Sequence, residues 1–524
     1  MTASTIATYR PPAQGRDGFL QLLHAEWTKF RTVRGWLIAV IVAAVLIDLM
    51  ALLIPRGTSS CGGPAAACLP VYPIGPGGEA VTDSFYFVRQ PLAGNATITV
   101  RVTSLTGMYT SGPNSSPGNG TRRGLVPWAK AGIIIKQSTK PGSAYAAMMV
   151  TGSHGVRMQY NYTADLAGLA GSASAASPRW LRLTRAGDTI TGYDSADGQH
   201  WTKVGTAPLA GLSGPVQIGL FATSPLYLVP SNPSSYGSGG AFGGSSVATG
   251  VFDDVSVHGG APGGRWAGQY VGSGGGYGNG LNLGFRQAGG QFSVTGAGDI
   301  APVVSGITGN GTIADHLYGV FIALTIIMIL AVMFITAEYR RGLIRITLAA
   351  SPRRGRVLAA KAVVIGGITF VLGSAAVAAA VTIGLHVAHS SGIYVLPVSW
   401  LTELRVIVGT GALIAVAATL ALALGVILRR GAVAVGAAIV VIVLPYVIGL
   451  SSLLPAHADM WLLRVSPAAA FAVQQSVPRY PQVFNQYGPP DYYPLAPWAG
   501  LAVLCGYAAV ALGLAVYLLR RRDV

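Results

Sequence analysis

Charged residues are scarce in this chain. Asp, Glu, Lys and Arg make up 10% of its 524 residues, whereas hydrophobic residues make up 51%. A soluble domain usually carries about 25% charged residues, so the composition excludes an ordinary soluble protein. Much of the chain is expected to lie in lipid.

Cysteine is rarer still, with 3 in the whole chain. Cys61 and Cys68 follow the first apolar run closely and are a possible disulfide if that side of the membrane is oxidising. No His or further Cys near them completes a metal-binding spacing, so we expect no zinc site. His386 and His389 lie three positions apart, but without a third ligand they are expected to be interfacial side chains and not a metal pair.

The net charge of +17 raises the question of a nucleic-acid partner. A nucleic-acid surface would show basic residues clustered on one face and interleaved with aromatic residues. Here the clustered basic residues flank apolar runs instead, so no nucleic-acid binding is expected. Acidic residues give little support for a hydrolase either. Glu79 is the only Glu in the long insert at 55–315, and a glycosidase generally needs two carboxylates. We therefore predict that the chain is not an enzyme.

Six apolar runs are long enough to cross a bilayer at about 1.5 Å per residue. Basic clusters flank the runs, and short basic loops stay in the cytoplasm. This rule places the N- and C-termini and the loop at 338–361 inside, and residues 55–315 outside. The fold class is therefore an α-helical polytopic membrane protein with an extracellular β domain. The expected spans are 36–54, 316–337, 362–387, 406–428, 432–453 and 497–519, and an outer loop at 454–495 separates the last two.

The insert at 55–315 is rich in Gly and Ser and contains no apolar run long enough to span a membrane. Apolar and polar residues alternate at 97–102, 180–184 and 216–221, with turn signals between such segments. About ten short strands at near-regular spacing predict a β-sandwich or jelly roll. A Gly-rich stretch from 259 to 311 is expected to be a tether with one or two further strands.

Several motifs in the insert resemble concanavalin-A-like jelly-roll domains of bacterial secreted and surface proteins. They are WAKAGIIIK from Trp128, RWLRLTR at 179–185, the Asp-box-like SADGQHW at 195–201 and VFDDVSV at 251–257. Such domains often bind sugars, so the resemblance implies a binding or shielding module. Aromatic residues in a sandwich are also common in the core, and both interpretations stay open. The possible glycan contacts are Trp128, Tyr160, Trp180, Tyr193 and Trp201.

The loop between the second and third runs is strongly basic, and Glu338 is its only acidic residue. Its middle, at 342–350, is apolar with Arg345 inside it, which predicts a short helix along the membrane surface. A second amphipathic helix is expected near the N-terminus, where Glu26, Trp27, Lys29 and Arg34 stand among apolar residues at helical spacing.

Both segments resemble type-2 ABC export permeases. The resemblance is carried by EYRRG from Glu338, an apolar stretch, SPRR and Lys361, together with HAEWTKFRTVR at 24–34. In that family the loop holds the coupling helix that docks on the ATPase subunit, which requires a rigid charged handle at the cytosolic surface. In the alternative interpretation, Glu338 only neutralises Arg340 or Arg341, and the arginines bind lipid phosphates. The coupling residues implied by the resemblance are Glu338, Arg340, Arg341, Gly342, Arg345, Arg353 and Arg354.

A phosphate-binding loop of the form GxxxxGK[ST] is absent from the sequence. The resemblance therefore implies that this chain binds no cofactor and that ATP and Mg²⁺ are bound by a separate ABC ATPase subunit. Six spans form half of the transmembrane unit of such exporters, so a second permease copy, most simply a homodimer, is expected in contact with membrane lipids.

The resulting prediction is a permease subunit of an ATP-driven exporter in a bacterial cytoplasmic membrane. Its cargo would be lipid-like, peptide or drug-like, because the spans carry too few polar groups for proton-driven transport. The alternatives are a polytopic anchor that displays a carbohydrate-binding domain and, with less support, a membrane enzyme. A simple anchor would need only one or two spans.

Overall fold

The structure is a computed structural model. It describes residues 18–53, 72–110, 121–210, 212, 214–229, 242–262, 264–272, 282–304, 311–342, 353–391, 393–451, 454, 456–486 and 493–521. The predicted disulfide between Cys61 and Cys68, and Arg345 with most of the predicted helix at 342–350, lie outside these residues.

Among the residues that the structure describes, six helices are long and apolar enough to cross a membrane. This confirms the predicted number of apolar helices. Span 3 is longer than its apolar run indicated, because it begins at Arg354, inside the basic loop. A further helix, Phe19–Thr32, precedes span 1 and is called the N-terminal helix below. The spans are, from 1 to 6, Arg34–Leu53, Tyr318–Arg340, Arg354–Ser390, Trp400–Leu428, Gly431–Gly449 and Pro497–Arg521.

Local sequence explains several features of the spans. Span 4 begins where the Ser399 side chain accepts a hydrogen bond from the backbone N–H of Thr402, and Arg429 ends it in the left-handed conformation. Span 5 contains a π-helical stretch at Ile439–Val443. Pro445 follows this stretch and has no N–H to donate to the preceding turn, which favours such a local widening.

Glycines allow the spans to pack closely, as small residues do in membrane bundles. A Cβ at Gly319 of span 2 would lie 2.7 Å from the Cα of Ile47 in span 1. A Cβ at Gly500 of span 6 would lie 2.0 Å from the carbonyl oxygen of Ala469. Ala469 belongs to the 3-10 helix Pro467–Gln474, in which every residue is buried.

The segment before span 6 contains this 3-10 helix and two other short helices. They are Ala456–Val465 and a 3-10 segment at Pro481–Gln486. The predicted outer loop at 454–495 is therefore partly helical and packs against span 6.

Residues 72–304 are called the β domain below, and their described part forms one 14-stranded sheet and two small two-stranded sheets. The strands are β1 Val81–Asp83, β2 Phe85–Thr110, β3 Thr121–Arg123, β4 Lys130–Lys136, β5 Tyr145–Thr151, β6 Val156–Tyr160, β7 Ala164–Ala167, β8 Arg179–Ala186, β9 Thr189–Ser195, β10 Thr202–Pro208, β11 Val216–Thr223, β12 Tyr227–Val229, β13 Phe242–Gly244, β14 Ser246–Pro262, β15 Ala267–Val271, β16 Gly284–Ala288, β17 Gln291–Gly296 and β18 Ile300–Pro302.

The large sheet runs β10-β9-β8-β2-β11-β4-β5-β6-β7 and curves into a nearly closed barrel. Its two ends approach each other, since a Cβ at Gly205 of β10 would lie 2.4 Å from the Leu166 side chain of β7. The long strands β2 and β14 pair antiparallel along most of their length. The core inside the barrel contains the apolar faces of β2, β4, β5 and β8, among them Val100, Ile133 and Leu181. The prediction of a β-rich domain is confirmed, and the specific jelly-roll topology stays a prediction.

The predicted Gly-rich tether at 259–311 contains four strands, β15 to β18, instead of one or two. Strand β18 pairs with β1, and this pair lies against the segments that follow spans 3 and 5. Ala301 and Val303 form an apolar cluster with Leu396 and Val477. Gln482 Nε2 donates a hydrogen bond of 2.9 Å to the carbonyl oxygen of Tyr162. The β domain is therefore packed on the helical part of the chain as well as linked to it.

Candidate coupling site

The N-terminal helix and spans 1, 2 and 3 meet at one end of the helical part of the chain, the end that carries the basic loop. This end is called the basic end below. The N-terminal helix packs there against the end of span 2 and the beginning of span 3. Phe30, Trp36 and Phe334 form an aromatic cluster at this junction, with ring centroids 4.9 to 5.9 Å apart. Edge-on and tilted aromatic contacts of this kind stabilise packing beyond the area that they bury.

Four charged side chains lie beside these rings and form what we call the ion cluster: Glu26, Lys29, Glu338 and Lys361. Lys361 Nζ donates hydrogen bonds to Glu26 Oε2 at 2.6 Å and to Glu338 Oε1 at 2.7 Å. Lys29 Nζ donates to Glu26 Oε1 at 2.8 Å and to Glu338 Oε1 at 3.3 Å. Two acids and two bases therefore balance each other.

The ion cluster is buried except for Lys29. The side chains of Lys361, Glu26 and Glu338 are 0%, 2% and 9% exposed, whereas that of Lys29 is 39% exposed. The Lys361 ammonium also lies 4.8 Å from the centroid of the Phe334 ring. Burying an ammonium without partners is costly, and the two carboxylates and the ring that face Lys361 offset that cost.

The charge on Lys29 is stabilised by the same carboxylates. Burial lowers the pKa of Lys29, but the hydrogen bonds and charges of Glu26 and Glu338 outweigh that effect. The pKa of Lys29 is consequently raised above its ordinary value of 10.5. Lys29 is therefore protonated at neutral pH.

The structure places Glu338 differently from the sequence-based expectation. Glu338 is buried, whereas a handle for a motor protein was expected at the surface. It pairs with Lys361 and Lys29, and among the described residues no ion pair joins it to Arg340 or Arg341. The reason is long-range, because the N-terminal helix packs against Glu338 and supplies Lys29, while span 3 supplies Lys361.

The other predicted coupling residues stand around the ion cluster. Arg340, Arg341 and Gly342 are exposed at the end of span 2, and Gly342 ends the helix with a φ of 67°. Arg353 is exposed just before span 3. Arg354 Nη1 donates a hydrogen bond to the carbonyl oxygen of Leu519, which ties the beginning of span 3 to the end of span 6.

The residues singled out on the N-terminal helix divide between its two faces. Glu26 is buried, whereas Trp27 is 45% exposed and lies beside Val363 and Val364 of span 3. Arg34 is exposed at the beginning of span 1.

Lys361 was counted with the basic loop but was not among the predicted coupling residues. Its position inside an apolar Ala- and Val-rich stretch was the available signal, because a lysine there needs an acidic partner.

The aromatic residues proposed as glycan contacts lie in two separate regions of the β domain. Trp180 and Tyr193 stand on β8 and β9, with Trp201 just before β10. Trp128 precedes β4, and Tyr160 on β6 packs against the barrel core. The structure therefore does not gather all five around one site.

Protein groups already cover one face of each indole ring. Trp128 stacks on the His154 ring at 4.0 Å between centroids. The Arg182 guanidinium lies 3.7 Å from the centroid of the Trp201 ring. Trp180 has Arg101 5.7 Å from its ring centroid. Trp128 is also buried, whereas Trp180 and Trp201 are half-buried, so a sugar could use only the remaining faces of the last two.

The Asp-box-like turn at 195–201 is closed by its own hydrogen bonds. Asp197 Oδ1 accepts from the backbone N–H groups of Gln199 and His200 at 2.8 Å each, and Trp201 Nε1 donates to the carbonyl oxygen of Gly198 at 3.0 Å. A hydrogen bond from His200, followed by those from the backbone, holds the pKa of Asp197 well below its ordinary range. These contacts close the turn that links β9 to β10.

Comparison with known proteins finds one family model that matches part of the chain. The model of a family described as "ABC-2 family transporter protein" matches residues 282–524. The match includes spans 2 to 6 and the basic loop, while span 1 and most of the β domain precede it. No curated protein matches the chain.

Several solved structures share some similarity with part of this chain. One is a functionally unknown protein from Saccharomyces cerevisiae, 19% identical, covering 37% of this chain and 84% of its own, with a TM-score of 0.20. Another is scytalido-glutamic peptidase with a transition state analog inhibitor, 11% identical, covering 42% of this chain and 100% of its own, with a TM-score of 0.24. Scores this low support no conclusion about fold or function.

Proposed function

We propose that this chain, whose residues 282–524 carry an ABC-2 family transporter domain, is the permease subunit of an ATP-driven ABC exporter. The domain itself supports a permease component of an ABC transporter, in which the ATPase is a separate chain. The observation that carries the proposal further is the ion cluster. It joins the N-terminal helix to both ends of the basic loop.

This arrangement can transmit force. Glu338 ends span 2 and Lys361 lies in the first turns of span 3, so their 2.7 Å contact fixes the two ends of the loop to each other. Glu26 ties the N-terminal helix to the same point through Lys361. A push on the loop would therefore move spans 2 and 3 and the N-terminal helix together.

In this proposal the coupling residues have two roles. Arg340 and Arg353 are exposed and would contact the ATPase subunit directly. Glu338 would act from inside, by holding the loop in one conformation. A loose loop would absorb the movement of the ATPase without passing it to the spans.

The remaining features of the proposal follow from the family and from the charge distribution. The chain would work as a dimer with a second permease copy, in a bacterial cytoplasmic membrane. Its basic end and both termini would face the cytoplasm, and the β domain would lie outside, where it binds glycan or shields the exit. The cargo would be lipid-like, peptide or drug-like.

Purification of the tagged chain from its own host in mild detergent tests the proposal. We expect a nucleotide-binding subunit to co-purify, with vanadate-sensitive ATPase activity in the eluate. A well-folded chain that purifies without any ATPase would contradict the proposal and favour a polytopic anchor that displays a surface domain.

Charge reversal tests the direct contacts. Arg353→Glu should abolish co-purification of the ATPase without preventing membrane insertion. Lys203→Glu, an equal charge change at an exposed position of the β domain, is the matched control and should retain the ATPase. Equal retention in both variants would exclude Arg353 from the contact.

A further inference from the structure

An open groove of about 640 Å³ lies at the basic end between the beginning of span 1 and the second half of span 2. This volume falls within the range of about 300–1,000 Å³ that is common for small-molecule sites. The groove has one apolar part and one cationic end. The cationic end shares Lys29, Glu338 and Arg341 with the coupling site, but a coupling role does not explain the apolar part.

The apolar part is suited to a hydrocarbon chain. Trp36 and Ala39 line it from span 1, and Ile329 and Met333 from span 2. Ile329 is 37% and Met333 51% exposed. A Cβ at Gly35 would meet nothing within 4 Å, so the groove is open beside span 1. In a membrane such a groove would be filled by a chain that makes van der Waals contacts along it.

The other end of the groove carries unbalanced positive charge. Lys29 and Arg341 line this end together with Glu338. The two acids of the ion cluster are already matched by Lys29 and Lys361. Arg341 is exposed, and it forms no ion pair among the residues that the structure describes. Arg341 is therefore the excess cation, and its planar guanidinium is suited to bidentate contact with a phosphate.

We propose that this groove binds one anionic phospholipid from the leaflet at the basic end. Its phosphate lies on Arg341 and Lys29, and one acyl chain lies along Trp36, Ala39, Ile329 and Met333. The inference requires that the spans cross a membrane, but it does not depend on the exporter role. Since the lipid contacts both span 1 and span 2 beside the ion cluster, it would hold the N-terminal helix against span 2.

Native mass spectrometry of the detergent-purified full chain tests the proposal. The probes are phosphatidylglycerol and phosphatidylcholine with identical acyl chains. We expect one tightly held phosphatidylglycerol per chain, and a loss of about tenfold in its affinity in Arg341→Gln, the size expected for one charge-assisted contact. Arg340→Gln removes the same charge from the adjacent position, which does not line the groove, and should bind like the wild type.

A second variant tests the apolar part. Ala39→Phe should fill the groove and weaken the binding of both lipids, while leaving the melting temperature of the delipidated protein within a few degrees of the wild-type value. Soluble glycerol phosphate tests the need for a chain, and it should not compete with phosphatidylglycerol.

Several outcomes would overturn the proposal. Equal binding of the two lipids, equal losses in Arg340→Gln and Arg341→Gln, or full competition by glycerol phosphate would each exclude a specific anionic lipid site. Cross-linking of Met333→Cys between two copies, with no bound lipid, would show that a second copy covers the groove instead.

Discussion

Replacement of Lys361 by Met is the perturbation that the ion cluster makes most informative. Met fills a similar volume without charge, so the change removes the central ammonium and leaves Glu26 and Glu338 buried. Lys29 is their remaining cation, and its side chain is 39% exposed. We therefore expect Lys361→Met to destabilise the helical part of the chain substantially.

The magnitude follows from the burial of the pair. Removing one partner of a buried ion pair usually costs about 3–5 kcal/mol, because the other charge stays uncompensated. Lys29→Met should cost less, about 0–1 kcal/mol, since a partly exposed ion pair is screened by solvent. Glu338→Gln combined with Lys361→Met restores the charge balance, and the two changes should couple by about 0.5–3 kcal/mol.

These differences are measured by unfolding the purified variants in mixed micelles. The loss of helical signal monitors the unfolding. Arg353→Met is the control, because Arg353 is a nearby exposed cation outside the ion cluster. A surface change of this kind should stay within about 0.5 kcal/mol of the wild type. If Lys361→Met were as stable as Arg353→Met, and the double variant showed no coupling, the ion cluster would not hold the helices together.

Three further predictions concern packing, docking and pH. Gly319→Val should lower the melting temperature by overpacking spans 1 and 2, at a cost of about 1–3 kcal/mol, whereas Gly436→Val, where a Cβ meets nothing within 4 Å, should not. Gln482→Ala should accelerate hydrogen exchange in β1 and β18 by loosening the β domain, and unchanged exchange would exclude a docking role. Asp197 raises the pKa of His200 through a hydrogen bond, so this contact is lost as pH rises through the folded-state pKa. NMR titration should show the pKa of His200 returning towards 6.5 in Asp197→Asn, and an unshifted titration would contradict this.

The spans and the β domain could be predicted because their signals are local. An apolar run of about 20 residues can satisfy its backbone only as a helix in lipid, and six such runs became six helices. The alternation of apolar and polar residues at 180–184 predicted a strand in the same local way, and these residues lie in β8. Span 3 extended beyond its apolar run because Arg354 and Arg356 are compatible with the first turns of a helix.

The environment of Glu338 was not predictable in this way. Its partner Lys29 lies 309 positions earlier in the chain, and the partner of Lys361, Glu26, lies 335 positions earlier. No periodicity links positions so distant. One local signal was present, because Glu26 stands on the same helical face as Leu23 and Phe30, and an acid on an apolar face requires a buried base.

The aromatic residues of the β domain show a similar limit. Alternation placed Trp180 on a strand, but it could not show that the Asp-box-like turn, with Gly198, packs against that ring. Which face of a ring is free depends on side chains from neighbouring strands, and those are set by register. Sequence therefore identified the candidates without identifying which faces are accessible.

Photo-cross-linking from the basic loop tests the central claim most directly. A photoreactive amino acid would replace Arg340 or Arg353, which are exposed at the two ends of the loop, and Lys203 in the β domain would carry it as a control. In intact host cells we predict that both loop positions cross-link to one nucleotide-binding subunit and that the control position does not. Cross-links to lipid alone at Arg340 and Arg353, with the chain correctly inserted, would contradict a permease driven through this loop.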